Sequence, residues 1–138
     1  FGGLALANAN LGAVHGFAGP LGGMYDAPHG AICARLLPPV MSKNVEALKS
    51  RGIDRDLLRR YDEVGTLLTG DTNAIADDGV HWVYALSEKL DIPPLSEYGV
   101  RREDFPSIID KASQSSSMKG NSVELSQYEL SEILEQAL

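Results

Sequence analysis

The side chains with the clearest chemical potential lie in one stretch, VHGFAGPLGGMYDAPHG, where His15 and His29 stand 14 residues apart. In one straight helix that spacing amounts to about 21 Å of rise. Two imidazoles meet a single divalent ion at about 2.0–2.1 Å each, so a straight helix cannot bring them together. The break supplied by Gly22-Gly23 and Asp26-Ala27-Pro28 removes the difficulty. One helix ends near Gly23, the chain turns, and a second begins at Pro28 with His29 at its start, folded back towards His15. Glycine follows each histidine, which leaves room close to each ring. Spacing alone leaves two readings open. The pair is either part of a metal site or two satisfied histidines in a tightly packed hairpin, because a catalytic transition-metal site takes three or more protein ligands.

Neighbouring residues carry the same ambiguity. Cys33 lies one turn after His29 and is either a soft ligand or, as its type favours, a small buried residue. Asp26 is either a carboxylate behind His29 or a turn residue, and turn chemistry accounts for it more simply. Phe17, Met24 and Tyr25 suit an apolar substrate pocket and suit a core equally well. His81, within GVHWVYAL, reads as a surface or packing residue, and the acidic residues of 124–135 as a solvated helix face.

The elements that must position these residues are helical. Residues 3–23 are rich in Ala and Gly with no charged side chain, the pattern of a helix buried all round. Each helical Gly costs roughly 1 kcal/mol against Ala, so close packing must compensate. A second helix is expected from Pro28 to about Ser50, kinked or broken at Pro38-Pro39. Amphipathic helices follow over Arg55–Leu68 and Asn73–Leu90, with Pro93-Pro94 just past the latter's end. A short helix is expected over Asp104–Ser113, then a loop, SQSSSMKGNS. The last helix opens on Ser126 and Glu129 in capping-box spacing. No segment alternates with period two between hairpin turns. The expectation is an all-α helical bundle of five to seven helices, with 1–138 a single helical metal-binding domain.

Composition bounds the rest. At 43% hydrophobic and 22% charged, 138 residues suit one globular domain. A net charge of −7, with the basic residues scattered among acids, argues against nucleic acid and anionic membrane as partners. One cysteine excludes an internal disulfide framework and fits a reducing, cytoplasmic compartment. No run approaches the roughly 20 apolar residues of a spanning helix. The apolar start lacks a basic n-region, so it does not read as a signal peptide. The chain opens at Phe1 directly into a dense apolar segment. Free termini are usually polar, and the expectation is a piece of a longer polypeptide.

The run GLALANANLGAVHGFAGPLGGMYDAPHGAICARLLPPVM resembles the signature region of the iron-containing (group III) alcohol dehydrogenases. There, too, a helix ends in V-H-G/A, a small-residue L-G-G turn follows, and P-H-G opens the next helix. IPPLSEYGVRREDFPSIIDKA and the closing LSQYELSEILEQAL resemble later segments of the same family, in the same order. The resemblance implies the C-terminal domain of the dehydroquinate synthase-like fold, with a nucleotide-binding domain preceding it. The metal would lie between the two domains, held by one Asp and three His. The last two histidines, in V-H-G and P-H-G, correspond to His15 and His29; the other two ligands lie upstream, in residues this chain does not contain.

The implied reaction is hydride transfer between a small alcohol or aldehyde and NAD(P), with Fe²⁺ as the metal and Zn²⁺ the alternative. No glycine-rich phosphate loop appears here, so no catalytic or nucleotide-binding residue is assigned within the chain. Alone it is expected to be inactive; a homo-oligomer is compatible with this reading. Two alternatives are a truncated stand-alone helical module and a glycerol dehydrogenase-like relative, which EYGV and LLPPVM fit less well.

Two positions depart from the family's pattern. Many members carry a further histidine four residues after the first ligand, beside the substrate, where this chain has Gly19. That puts a short-chain alcohol substrate in doubt. Where members have Asn-Pro-Arg, this chain has Asn121-Ser122-Val123, a departure expected to have no bearing on the metal.

Overall fold

The computed structural model describes residues 11–52 and 54–138, and every regular element among them is helical. In chain order these are α1 (Ala13–Met24), α2 (His29–Arg51), α3 (Arg55–Thr69), α4 (Ala76–Lys89), α5 (Phe105–Gln114), α6 (Ser116–Lys119) and α7 (Gln127–Ala137). Two 3₁₀ turns, Leu95–Tyr98 and Arg102–Asp104, connect α4 to α5. No helix among the described residues is long and apolar enough to cross a membrane. Residues 3–10 of the expected 3–23 helix lie outside the described residues, and α1 starts only at Ala13, with Gly12 extended before it.

α2 is the organising element. It contributes Ile32, Leu36 and Val40 to one core, shared with α1, α5 and α7. Its later residues Met41 and Val45 join a second core with Ala76, Val80 and Val83 of α4. A continuous helix of 23 residues therefore bridges both cores, and Pro38-Pro39 do not break it, contrary to expectation. Both prolines are buried at the junction of the two cores. The packing on either side compensates for the two missing amide donors. α2 stops at Gly52, whose φ of 58° is the left-handed conformation that favours glycine.

Local signals account for the other termini. Asp54 caps α3 by accepting the Leu57 N–H at 3.0 Å. α3 and α4 then cross at Gly65 and Gly79. A Cβ built on Gly65 would stand 2.5 Å from the Ile75 carbonyl oxygen, and one on Gly79 would stand 3.0 Å from Gly65 Cα. The α4 helix starts at Ala76, later than Asn73, because Asp62 of α3 accepts the Ala76 N–H at 2.8 Å. Ser126 and Glu129 form the expected reciprocal cap of α7, at 3.2 and 2.7 Å. The serine-rich segment expected as loop contains α6, capped by Ser115.

The acidic face of α7 is tied down rather than merely solvated. Glu129 pairs with Arg51 of α2 at 2.6 Å, Glu132 with the buried Lys43 at 2.9 Å, and Glu135 with Arg102. Burial works against the charge on Glu129, yet the Ser126 cap and the Arg51 guanidinium hold its carboxyl below the ordinary range.

Candidate metal centre

The α1–α2 hairpin does what the histidine spacing requires. α1 ends at Met24, Tyr25 and Pro28 are extended about a tight turn in which the Ala27 N–H donates to the Tyr25 carbonyl at 2.9 Å, and α2 starts on His29 itself. The two rings face one another with centroids 5.5 Å apart and planes inclined by 52°. Cys33 joins them: its Sγ lies 3.5 Å from His29 Nε2, and one donor atom from each of the three residues falls within 4.8 Å of the others. His15 and Cys33 are half-buried and His29 is exposed, so the cluster is open to an ion from solvent. Burial pushes the Cys33 thiol above its usual range.

Two packing features fix His15 on its helix. Gly16 lets α6 approach: a Cβ there would lie 2.9–3.1 Å from three atoms of Met118. The room left by the glycine after His15 is thus filled by Met118, whereas Gly30, after His29, faces open space. The second feature is Asn121. Its Oδ1 accepts the Ala13 N–H at 3.1 Å and the Asn44 amide at 3.3 Å, while its Nδ2 donates to Asn44 Oδ1 at 2.7 Å and the Val123 carbonyl at 2.8 Å. Asn121 therefore ties the first turn of α1, which carries His15, to α2. It bears more closely on the candidate centre than the sequence suggested.

Beside His15 and Cys33 lies a cavity of about 540 Å³. Its walls are apolar, with Val14, Leu37, Met41 and Val64, and its polar floor comprises Asn44, Tyr61, Asn121 and Ser122. Tyr61 connects that floor, its hydroxyl 3.0 Å from Ser122 Oγ and 3.3 Å from the Asn44 amide. Phe17, Met24 and Tyr25 do not line this cavity. Phe17 is fully buried in the first core, and Met24 and Tyr25 pack against it. Burial and the Asp104 carboxylate push the Tyr25 hydroxyl up to about 12. Asp26 is exposed in the turn and His81 is exposed on α4, as their types suggested. Gly19 is exposed too, and a Cβ built there has no atom within 4 Å apart from its neighbours along the chain.

The helical fold has counterparts among known proteins. The family described as "Fe-containing alcohol dehydrogenase family, C-terminal" matches residues 1–138. Lactaldehyde reductase of Escherichia coli (strain K12) is 38% identical over 111 residues, covering 80% of this chain and 28% of that protein. 1,3-Propanediol dehydrogenase of Citrobacter freundii is 36% identical over 136 residues, covering 98% and 34% respectively. Among solved structures, an alcohol dehydrogenase from Oenococcus oeni superposes with a TM-score of 0.81 at 31% identity, over 99% of this chain and 35% of that one. The chain thus spans about a third of the length of the relatives it matches.

Proposed function

Because the chain belongs to the iron-containing alcohol dehydrogenase family and has the helical fold of its C-terminal domain, we propose that it is the metal-holding part of an NAD(P)-linked alcohol dehydrogenase or aldehyde reductase, with His15 and His29 as two of the metal's ligands. The observation that carries this reading is the meeting of two imidazoles from different helices, centroids 5.5 Å apart, at a solvent-accessible rim. Two rings bound through nitrogen to one tetrahedral ion would have centroids about 5 Å apart. The donor set of two imidazoles and a thiol suits a borderline divalent cation such as Fe²⁺ or Zn²⁺.

When bound, such an ion supplies Lewis acidity, stabilising negative charge on an alcohol or carbonyl oxygen. The chain's own residues do the rest. The hairpin holds His15 at the edge of the cavity, with His29 beside it. Val14, Leu37, Met41 and Val64 offer the carbon skeleton of the substrate an apolar wall that sheds water. Ser122 on the floor offers a hydroxyl to a second oxygen on that skeleton. Gly19 supplies no imidazole for proton transfer or substrate contact, so any proton must leave through other groups or through water. The nicotinamide nucleotide would bind to the domain that precedes this one in the family.

Anaerobic equilibrium dialysis of the purified chain against Fe²⁺ tests the reading. One ion per chain is expected. His15→Ala or His29→Ala should weaken binding on the order of 100-fold, at least the loss typical when a group supporting a ligand is removed. The loaded chain alone should not oxidise NAD(P)H with an aldehyde. Binding that is indifferent to both histidines, or metal-dependent turnover by this chain, would overturn it.

A further inference from the structure

Cys33 is where the geometry goes further than the two-histidine reading. Its sulfur sits one helical turn from His29, within 4.8 Å of the His15 donor, and at the rim of the same cavity. In a tetrahedral site with bonds of about 2.3 Å to sulfur and about 2.0 Å to nitrogen, the sulfur–nitrogen edge is about 3.5 Å. Cys33 Sγ and His29 Nε2 are already 3.5 Å apart. A nitrogen–nitrogen edge in such a site is about 3.3 Å, so the His15 donor needs to move inward by no more than about an ångström and a half to close the triangle. Both histidines are incompletely buried, and ring rotation can supply that movement.

We propose that Cys33 is a third ligand, and that His15, His29 and Cys33 together form a Cys-His-His site able to hold a borderline divalent cation within this chain alone. As the sulfur–metal bond forms, the Sγ proton leaves to solvent, and the thiolate contributes one negative charge to the shell. Three ligands from this chain leave one position of a tetrahedral ion open to water or to a ligand from outside the chain. A thiolate in the shell also shifts preference towards the softer of the borderline cations, Zn²⁺ above all.

This inference rests on the two-histidine reading, and Co²⁺ separates the two. Added anaerobically to the 138-residue chain, Co²⁺ should give a thiolate-to-cobalt charge-transfer band in the near ultraviolet that saturates at one ion per chain. Such a band requires a sulfur–cobalt bond, so a structural role for Cys33 cannot produce it. Cys33→Ser, checked for unchanged helicity by circular dichroism, should lose the band and bind Co²⁺ at least tenfold more weakly; Cys33→Ala should do the same. One bound Co²⁺ without the band, and with equal affinity in Cys33→Ser, would overturn the thiolate while leaving the histidines in place. No Co²⁺ bound by the folded wild-type chain would overturn both.

Discussion

Gly65→Ala is expected to destabilise the domain by about 3 kcal/mol, against the usual direction of this substitution. In an exposed helix interior, Gly→Ala stabilises by up to about 1 kcal/mol. Here the added Cβ would lie 2.5 Å from the Ile75 carbonyl oxygen and 3.1 Å from its carbon. Both are backbone atoms at the start of α4, so no side-chain rotation relieves the contact. α3 and α4 must separate, and Met41, Val80 and Val83 lose packing in the second core. For a domain of this size about 3 kcal/mol corresponds to roughly 10 °C in Tm. Thermal unfolding followed by circular dichroism measures it. Gly22→Ala is the internal control: the same change on α1, with open space around the new Cβ, should raise Tm slightly. If Gly65→Ala also raises Tm, the close crossing of α3 and α4 is wrong.

The second large effect falls on Asn121. Asn121→Ala removes four hydrogen bonds and strands the Ala13 N–H, Asn44 Oδ1 and the Val123 carbonyl in partly buried surroundings. An unsatisfied group of this kind costs about 1–3 kcal/mol, less where water reaches it. A loss of about 2–4 kcal/mol in total is therefore expected. Ala13 lies two residues before His15 in the same helical turn, so the damage should extend to the metal. Affinity for Fe²⁺, measured at a temperature where the variant is still folded, should fall about tenfold, as when a group supporting a ligand is lost. Asn121→Asp should cost less stability, because it keeps the acceptor for the Ala13 N–H while giving up the two donations. Unchanged metal affinity in Asn121→Ala would show that His15 does not depend on this staple.

What the sequence made legible follows from the range of the interactions involved. The hairpin was readable because Gly22-Gly23 and Pro28 are local breakers standing between two histidines too far apart for one helix. The cap of α7 was readable for the same reason, since Ser126 and Glu129 satisfy each other across one turn. Tertiary packing overrode the local rule at Pro38-Pro39. Their missing donors predict a kink or a break, but α2 runs unbroken through both cores. Asn121 acts on residues 77 and 108 positions away, and no periodicity in one sequence announces a contact of that range. Gly65 and Gly79 look like ordinary helix glycines until their two helices are seen to cross. Cys33 is the instructive case. Its spacing from His29 was plain, but whether the sulfur faces the histidines or the core depends on how α1 packs against α2.

The central claim is that one ion joins His15 to His29 across the hairpin. The most direct measurement is a crystal of the chain grown with Zn²⁺, with diffraction data collected on both sides of the zinc absorption edge. The account predicts a single strong anomalous peak with one nitrogen of His15 and one of His29 each about 2.0–2.1 Å from it. Well-ordered His15 and His29 with no anomalous density between them, at a zinc concentration that saturates binding in solution, would contradict it.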